Sequence, residues 1–96
     1  MKQKMKAHIL VSGRVQGVLF RKHAQKEAQQ LNLTGWAHNL IDGRVEILCE
    51  GEKENIEKFI EWCKKGPPLA KVDKIEIEHQ AHKGEFKEFE IREFGF

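Results

Sequence analysis

The sequence is short of cysteine and proline, with two of each, and it has no large excess of either charge. Each shortage narrows the field. Cys49 and Cys63 make no C-x-x-C pair and fit no zinc-ligand spacing. They read as two buried thiols in a reducing compartment, with a disulfide between them as the alternative. The formal charge is +2, from 17 basic and 15 acidic side chains, which argues against a dedicated nucleic-acid binder. Only the Met1–Lys6 start is clearly basic, and beyond it the two signs are interspersed. No apolar run approaches membrane-spanning length, and Met1–Lys6 lacks the apolar core of a secretion signal, so the expected location is cytoplasmic. Internal repeats and low-complexity stretches are absent as well.

What is present suits one compact domain over residues 1–96, with 1–6 expected as a flexible lead-in. Apolar residues make up 40% and charged residues 33%, which fits a folded chain rather than a disordered one. A chain of this size buries roughly 60–68% of the surface its unfolded form exposes, enough for a modest core.

Hydrophobic periodicity divides the chain into seven elements. Ala7–Ser12 reads as a strand with neither face strongly polar, hence a central one. Gly13 to Val18 interrupts it with two glycines. A helix follows from about Leu19 to Leu31, with Phe20, Ala24, Ala28 and Leu31 at helical spacing and Asn32 as its stop. Thr34–Leu40 and Arg44–Glu50 read as strands joined by an Asp42-Gly43 hairpin turn. A second helix, about Lys53 to Lys64, carries the stripe Ile56, Phe59, Ile60 and Cys63. Glutamate sits early in it and lysine late, as the helix dipole favours, and Gly66-Pro67-Pro68 ends it. Val72–His79 alternates with Ile75 and Ile77 on one face. Ala81–Glu85 reads as a polar turn, and Phe86–Phe94 as a last strand.

This order, βαββαβ with a further strand, is that of an α+β, ferredoxin-like sandwich, expected as an antiparallel sheet with two helices on one face. Ile9, Val11, Phe20, Ala24, Ala28, Leu31, Val45, Ile47, Ile56, Phe59, Ile60, Ile75 and Ile77 are the expected core. The fold alone assigns no function.

The chemistry is concentrated between the first strand and the first helix, in Gly13-Arg14-Val15-Gln16-Gly17-Val18-Leu19-Phe20-Arg21. Amides at a helix start have no partner within the helix and lie at the positive end of its dipole, so such a junction attracts anions, phosphate above all. Arg21 falls in the first helical turn, and its planar fork of donors matches phosphate oxygens in pairs. On these residues alone, a tight turn followed by a solvated arginine is an equal reading.

Taken with Gly35-Trp36-Ala37-His38-Asn39 and Asp42-Gly43-Arg44-Val45-Glu46, the string Gly-Arg-Val-Gln-Gly-Val-x-Phe-Arg closely resembles the acylphosphatase family over nearly the full chain. The resemblance implies an enzyme, an acylphosphatase, that hydrolyses carboxyl-phosphate mixed anhydrides without metal or cofactor. It places the phosphate on the main chain of Arg14, Val15, Gln16, Gly17 and Val18 and on the Arg21 guanidinium. Asn39 takes the role of orienting the attacking water. The implied partner is a small acyl phosphate, with inorganic phosphate or sulfate as ligand, and neither nucleic acid nor membrane; a monomer is expected. Such an anhydride is already activated, so positioning and charge stabilisation suffice. No general base is evident, and the substrate's own phosphate oxygen is the expected proton acceptor. Leu40 stands where many relatives have threonine, Leu19 where the residue is often aromatic or small, and Asn32 where glycine is frequent.

Other readings fit less well. A cysteine phosphatase needs an arginine six positions after its cysteine, where this chain has Asn55 and Leu69. His8, His23, His38, His79 and His82 are scattered, and only His79 and His82 are close in sequence, so no metal site is expected. Trp36 reads as packing, Trp62 as a half-buried helix residue, and His38 as peripheral, on the opposite strand face from Asn39. A non-catalytic anion sensor would share the loop. An RNA-recognition module would share the architecture, but the first and third strands lack stacking aromatics.

Overall fold

The computed structural model describes residues 2–95, and side chains as far as Glu93. The elements run β1 (Lys4–Arg14), α1 (Phe20–Gln30), β2 (Thr34–Leu40), β3 (Val45–Glu52), α2 (Lys53–Lys65), β4 (Lys71–Gln80) and β5 (Phe89–Gly95). The strands form one sheet in the order β4-β1-β3-β2-β5. β1 is antiparallel to β3 and β4, and β2 is antiparallel to β3. The expected ferredoxin-like arrangement is therefore present, with one correction: β5 lies parallel to β2, so the sheet is mixed. The cause is topological. β4 ends at the edge of the sheet, at the end where β1 and β2 begin. The chain crosses that end to the far edge, so β5 starts beside the start of β2 and runs with it.

Strand register builds the core in rows. Ile77, Ile9, Ile47, Ala37 and Ile91 are cross-strand neighbours, and Ile75, Val11, Val45 and Asn39 form the next row. These rows face the helices, α1 over β2 and β5, α2 over β1, β3 and β4. Phe20, Ala24 and Ala28 from α1 and Ile56, Phe59, Ile60 and Cys63 from α2 are buried against them. Phe59 meets Phe89 edge-on, with centroids 6.1 Å apart. Each buried Phe or Ile contributes about 1.5–3 kcal/mol relative to exposure. Leu31, Ile75 and Ile77, expected in the core, are only partly buried. Ile75 and Ile77 sit on β4, an edge strand with a neighbour on one side only.

Element ends follow local chemistry. Asn32 stops α1 as expected, at φ 56°, with the Leu33 amide donating to the Ala28 carbonyl at 2.9 Å and the Asn32 amide to Gln29 at 3.1 Å. The hairpin loop holds three residues, 41–43, rather than a two-residue turn: Leu40 N donates to Arg44 O at 2.8 Å, and Asp42 Oδ1 accepts the Arg44 amide at 3.1 Å. The 1–6 lead-in is shorter than expected, because Lys4, Met5 and Lys6 already pair with Glu52, Gly51 and Glu50 of β3. Met1 lies outside the described residues. No helix among the described residues is long and apolar enough to cross a membrane.

The helix-free face of the sheet is partly roofed by the β4–β5 crossover. The buried Glu50 carboxylate accepts the amides of Lys83, Gly84 and Glu85 at 2.7, 3.0 and 3.0 Å, and Lys6 Nζ donates to Glu85 Oε1 at 3.0 Å. Burial pushes the Glu50 carboxyl up, and the three amides outweigh it and hold the group below the usual carboxylate range. On the same face Glu46 lies between His8 Nε2 at 2.6 Å and His38 Nε2 at 2.5 Å. The two histidines that come together in space are thus His8 and His38, 30 positions apart, and His38 is buried rather than peripheral. Cys49 and Cys63 are buried and unbonded, and burial pushes the Cys49 thiol up to about 12 and the Cys63 thiol upward as well.

Candidate active site

The loop between β1 and α1 is held by three anchors. Val15 and Val18 sink into the core, and Gln16 Nε2 donates to the carbonyls of Leu40 and Arg44 at 2.8 and 2.9 Å. The loop is thereby pinned to the base of the β2–β3 hairpin. Gly17, between these anchors, takes φ 73°, and Leu19, just after them, φ 63°, so the main chain curls back on itself. Glycine adopts that conformation freely; for leucine it costs about 1–2 kcal/mol. Among the described residues, no amide from Val15 to Phe20 donates to a protein acceptor. α1 begins with no side-chain cap and no acidic residue in its first turn, whereas α2 carries Glu54 there. Nothing in the helix itself offsets the positive end of the α1 dipole.

Arg21, the second residue of α1, is half-buried. Its Nη1 donates to the Arg92 carbonyl of β5 at 3.1 Å, and Gln25, one turn later, donates to the Phe89 carbonyl at 3.0 Å. This clasp fixes the guanidinium through one of its five N–H groups and leaves the others for a ligand. No carboxylate among the described residues lies within ion-pair distance of Arg21.

Asn39 closes a core row on β2, next to Val45. Its Oδ1 is buried and has no hydrogen-bond partner in the protein. Leaving such an acceptor unpaired costs about 1–3 kcal/mol, so a fold keeps one only for a reason.

Gly17, Arg21 and Asn39 line one cavity of about 220 Å³, with Val15, Phe20 and Ile91 as apolar wall and Leu19 and Lys22 completing it. The sequence-derived residues therefore divide. Val15, Gly17, Arg21 and Asn39 meet at the cavity. Arg14 ends β1 opposite Lys71, Gln16 turns its side chain to the hairpin, and Val18 is buried. Sequence reasoning missed the Arg92 carbonyl and Ile91. Both arrive from the other edge of the chain's path, and a carbonyl group leaves no residue-type signal at all. A larger groove of about 690 Å³ lies at the far end of the sheet, where Glu52 and Glu54 offset Lys2, Lys4 and Lys58; it offers no comparable preference for an anion.

Fold and cavity together define a class: a ferredoxin-like α+β protein whose first strand–helix junction is arranged for an anion. The acylphosphatase family model matches residues 7–91. An acylphosphatase of Methylococcus capsulatus is 48% identical over 86 residues, covering 90% of this chain and 94% of that protein. Among solved structures, the acylphosphatase from Bacillus subtilis superposes with TM-score 0.89 at 41% identity, over 92% of this chain and 98% of that one. Full-length HypF in its phosphate- and nucleotide-bound form matches with TM-score 0.87 at 33% identity, over 98% of this chain but 12% of that one. The chain belongs to the acylphosphatase family and is an enzyme of that class.

Proposed function

We propose that the protein hydrolyses the carboxyl-phosphate bond of acyl phosphates, with the phosphoryl group held at the 14–18 loop and Arg21, and the attacking water oriented by Asn39. The observation that carries this reading is that Asn39, whose buried Oδ1 has no partner in the protein, lines the same cavity as Arg21 and Gly17. A carboxamide oxygen accepts a hydrogen bond from water and directs the water's lone pair elsewhere, here toward phosphorus. Arg21 and the loop amides offset charge on the equatorial phosphoryl oxygens as the bond to the leaving carboxylate lengthens. Water oxygen bonds to phosphorus, the P–O bond to the acyl group breaks, and the carboxylate departs with that electron pair.

Among the described residues the cavity wall includes no carboxylate and no histidine, and the His23 ring is engaged with the Leu19 carbonyl at 3.0 Å. The water's proton therefore passes to a phosphoryl oxygen of the substrate. A good leaving group makes this sufficient: a carboxylate departs far more easily than the alkoxide of a phosphomonoester.

Phosphate release from acetyl phosphate, compared with p-nitrophenyl phosphate, tests the reading. The expected result is turnover of the first well above the buffer rate and negligible turnover of the second. Phosphate binding without hydrolysis of acetyl phosphate would leave an anion sensor in its place.

A further inference from the structure

Asn39 can aim a water only if it stays in place relative to the loop proposed to hold the phosphoryl group, and its immediate surroundings do little to keep it there. Its buried Oδ1 has no partner in the protein. On one side, β2 loses its regular pairing with β5 at this point: His38 faces Arg92 and Leu40 faces Gly95, so two steps along β2 answer three along β5. On the other side, Asn39 with Val45 is the last cross-strand pair of β2 with β3 before the chain turns.

Gln16 grips this point from the loop. Its side chain is half-buried, and its Nε2 donates to the Leu40 carbonyl at 2.8 Å and to the Arg44 carbonyl at 2.9 Å. Those carbonyls are the base of the hairpin. Leu40 O also accepts the Gly43 amide at 3.2 Å, and Arg44 O the Leu40 amide at 2.8 Å. Among the described residues, the two Gln16 bonds are the hydrogen bonds that join the 14–18 loop to the hairpin. One residue thus has its main chain in the loop and its side chain on the carbonyl next to Asn39.

We infer that Gln16 is a positioning residue, which sets Asn39 at its distance from the phosphoryl group and so governs turnover and not anion binding. The inference rests on the hydrolysis proposed above. Val15 and Val18 are buried on either side of Gln16, so the loop keeps its curl when this side chain is changed, and the hairpin base gains the freedom. In-line attack needs water and phosphorus near contact, and a misplacement of about 1 Å costs about 10²-fold.

The test uses the full chain with acetyl phosphate. Gln16→Met keeps the length of the side chain and removes both donors; Gln16→Glu keeps the shape and sets a carboxylate against two carbonyls. In each, kcat is expected to fall about 10- to 100-fold, with inhibition by inorganic phosphate changed less than about two-fold. The deciding readout is a cycle with Asn39→Ala. With the carboxamide gone Gln16 has nothing left to position, so adding Gln16→Met is expected to lower kcat by less than about two-fold further. An equal further loss in that background overturns the inference, because the side chain then acts on the enzyme at large. Phosphate inhibition that weakens in step with kcat overturns it by assigning Gln16 to the anion cradle. An unchanged kcat, or failure of both variants to fold, overturns it as well. Normal turnover in Asn39→Ala removes the water-orienting role and this inference but leaves the hydrolysis standing. A wild type inactive on acetyl phosphate removes the proposed reaction and this inference with it.

Discussion

At one end of the sheet the amides of Lys83, Gly84 and Glu85 close on the Glu50 carboxylate. At the other, the amides of Val15 to Phe20 have no partner among the described residues, and the cavity beside them has no acidic side chain among its described lining. The two stretches use the same device. Each bends through a glycine of positive φ, Gly84 at 66° and Gly17 at 73°, and each leaves main-chain donors outside the sheet and helix ladders. They differ in where the negative charge comes from. The crossover nest is filled by the fold's own carboxylate and holds the β4–β5 connection onto the sheet. The loop sits on an uncapped helix start beside an arginine that has no acidic partner among the described residues. A self-satisfied nest contributes stability, and in the function proposed here the loop without an internal anion contributes affinity for one from outside.

Replacing Arg21 tests the second half of that contrast most severely. Arg21→Ala is expected to lose about three orders of magnitude or more in kcat/KM for acetyl phosphate, the scale of losing an arginine from a phosphoryl-transfer site. Inhibition by inorganic phosphate should weaken in parallel, while urea unfolding shifts little. An Arg21→Ala protein with full turnover would show that the loop works without its cation. Asn39→Ala comes next, at about 10²- to 10³-fold in kcat, with phosphate inhibition nearly unchanged, since in the proposed reaction the carboxamide meets the water and not the anion. Because its Oδ1 is buried without a partner, removing it should leave stability equal or slightly higher. Normal turnover in Asn39→Ala would end the water-orienting role.

Much of this contrast was legible in the sequence, but unevenly. Period-two and period-3.6 patterns placed all seven elements, since strands and helices here each bury one face. The glycines and Arg21 marked an anion-binding junction only as one of two equal readings, and the roles of Arg21 and Asn39 were legible through the family resemblance. The direction of β5 was not legible, because a strand's residues carry no record of which neighbour it will meet. Glu50 read only as the end of a strand; its burial depends on a crossover 33 to 35 positions away. The grip of the Arg92 carbonyl on Arg21 was invisible for the same reason. Pairings of this kind belong to topology, and they are where the positioning of the site resides.

Glu50 offers the matching test of the first half. Glu50→Gln keeps the shape but replaces a carboxylate that accepts three amides, and a destabilisation of about 1.5–3 kcal/mol is expected in urea unfolding at neutral pH, with kcat for acetyl phosphate changed little. The pH dependence has a definite sign. The folded-state pKa of Glu50 lies below its ordinary value of 4.5, so its contribution is complete above that pH and drains away as acid carries the protein through the lower, folded value. Wild type should therefore lose stability below about pH 4.5 more steeply than Glu50→Gln. Some slope remains in the variant, because Glu46 is depressed too: burial raises it, and contacts with His8 and His38 more than offset that. Equal slopes in the two proteins would mean that the crossover nest holds no charge worth counting.

The smallest effects divide the two nests most sharply, in the pair Gly17→Ala and Gly84→Ala. At Gly17 an added methyl meets no protein atom within 4 Å, and at Gly84 only His82 Cε1 at 3.5 Å, so neither change is blocked by packing. Both force alanine into positive φ, and each should cost about 1 kcal/mol of stability for that reason alone. The consequences for phosphate should then part. The Gly17 methyl stands at the edge of the cavity, where the protein leaves room and an anion does not, so inhibition by phosphate should weaken several-fold, an amount set by lost contacts of about 1 kcal/mol. The Gly84 methyl stands near His82 Cε1 in a turn whose amides are already taken by Glu50, and phosphate inhibition should not move. Two variants with equal losses of stability and equal phosphate affinity would mean that the amides of the 15–20 segment do not touch the anion, and the grip would have to be assigned to Arg21 alone.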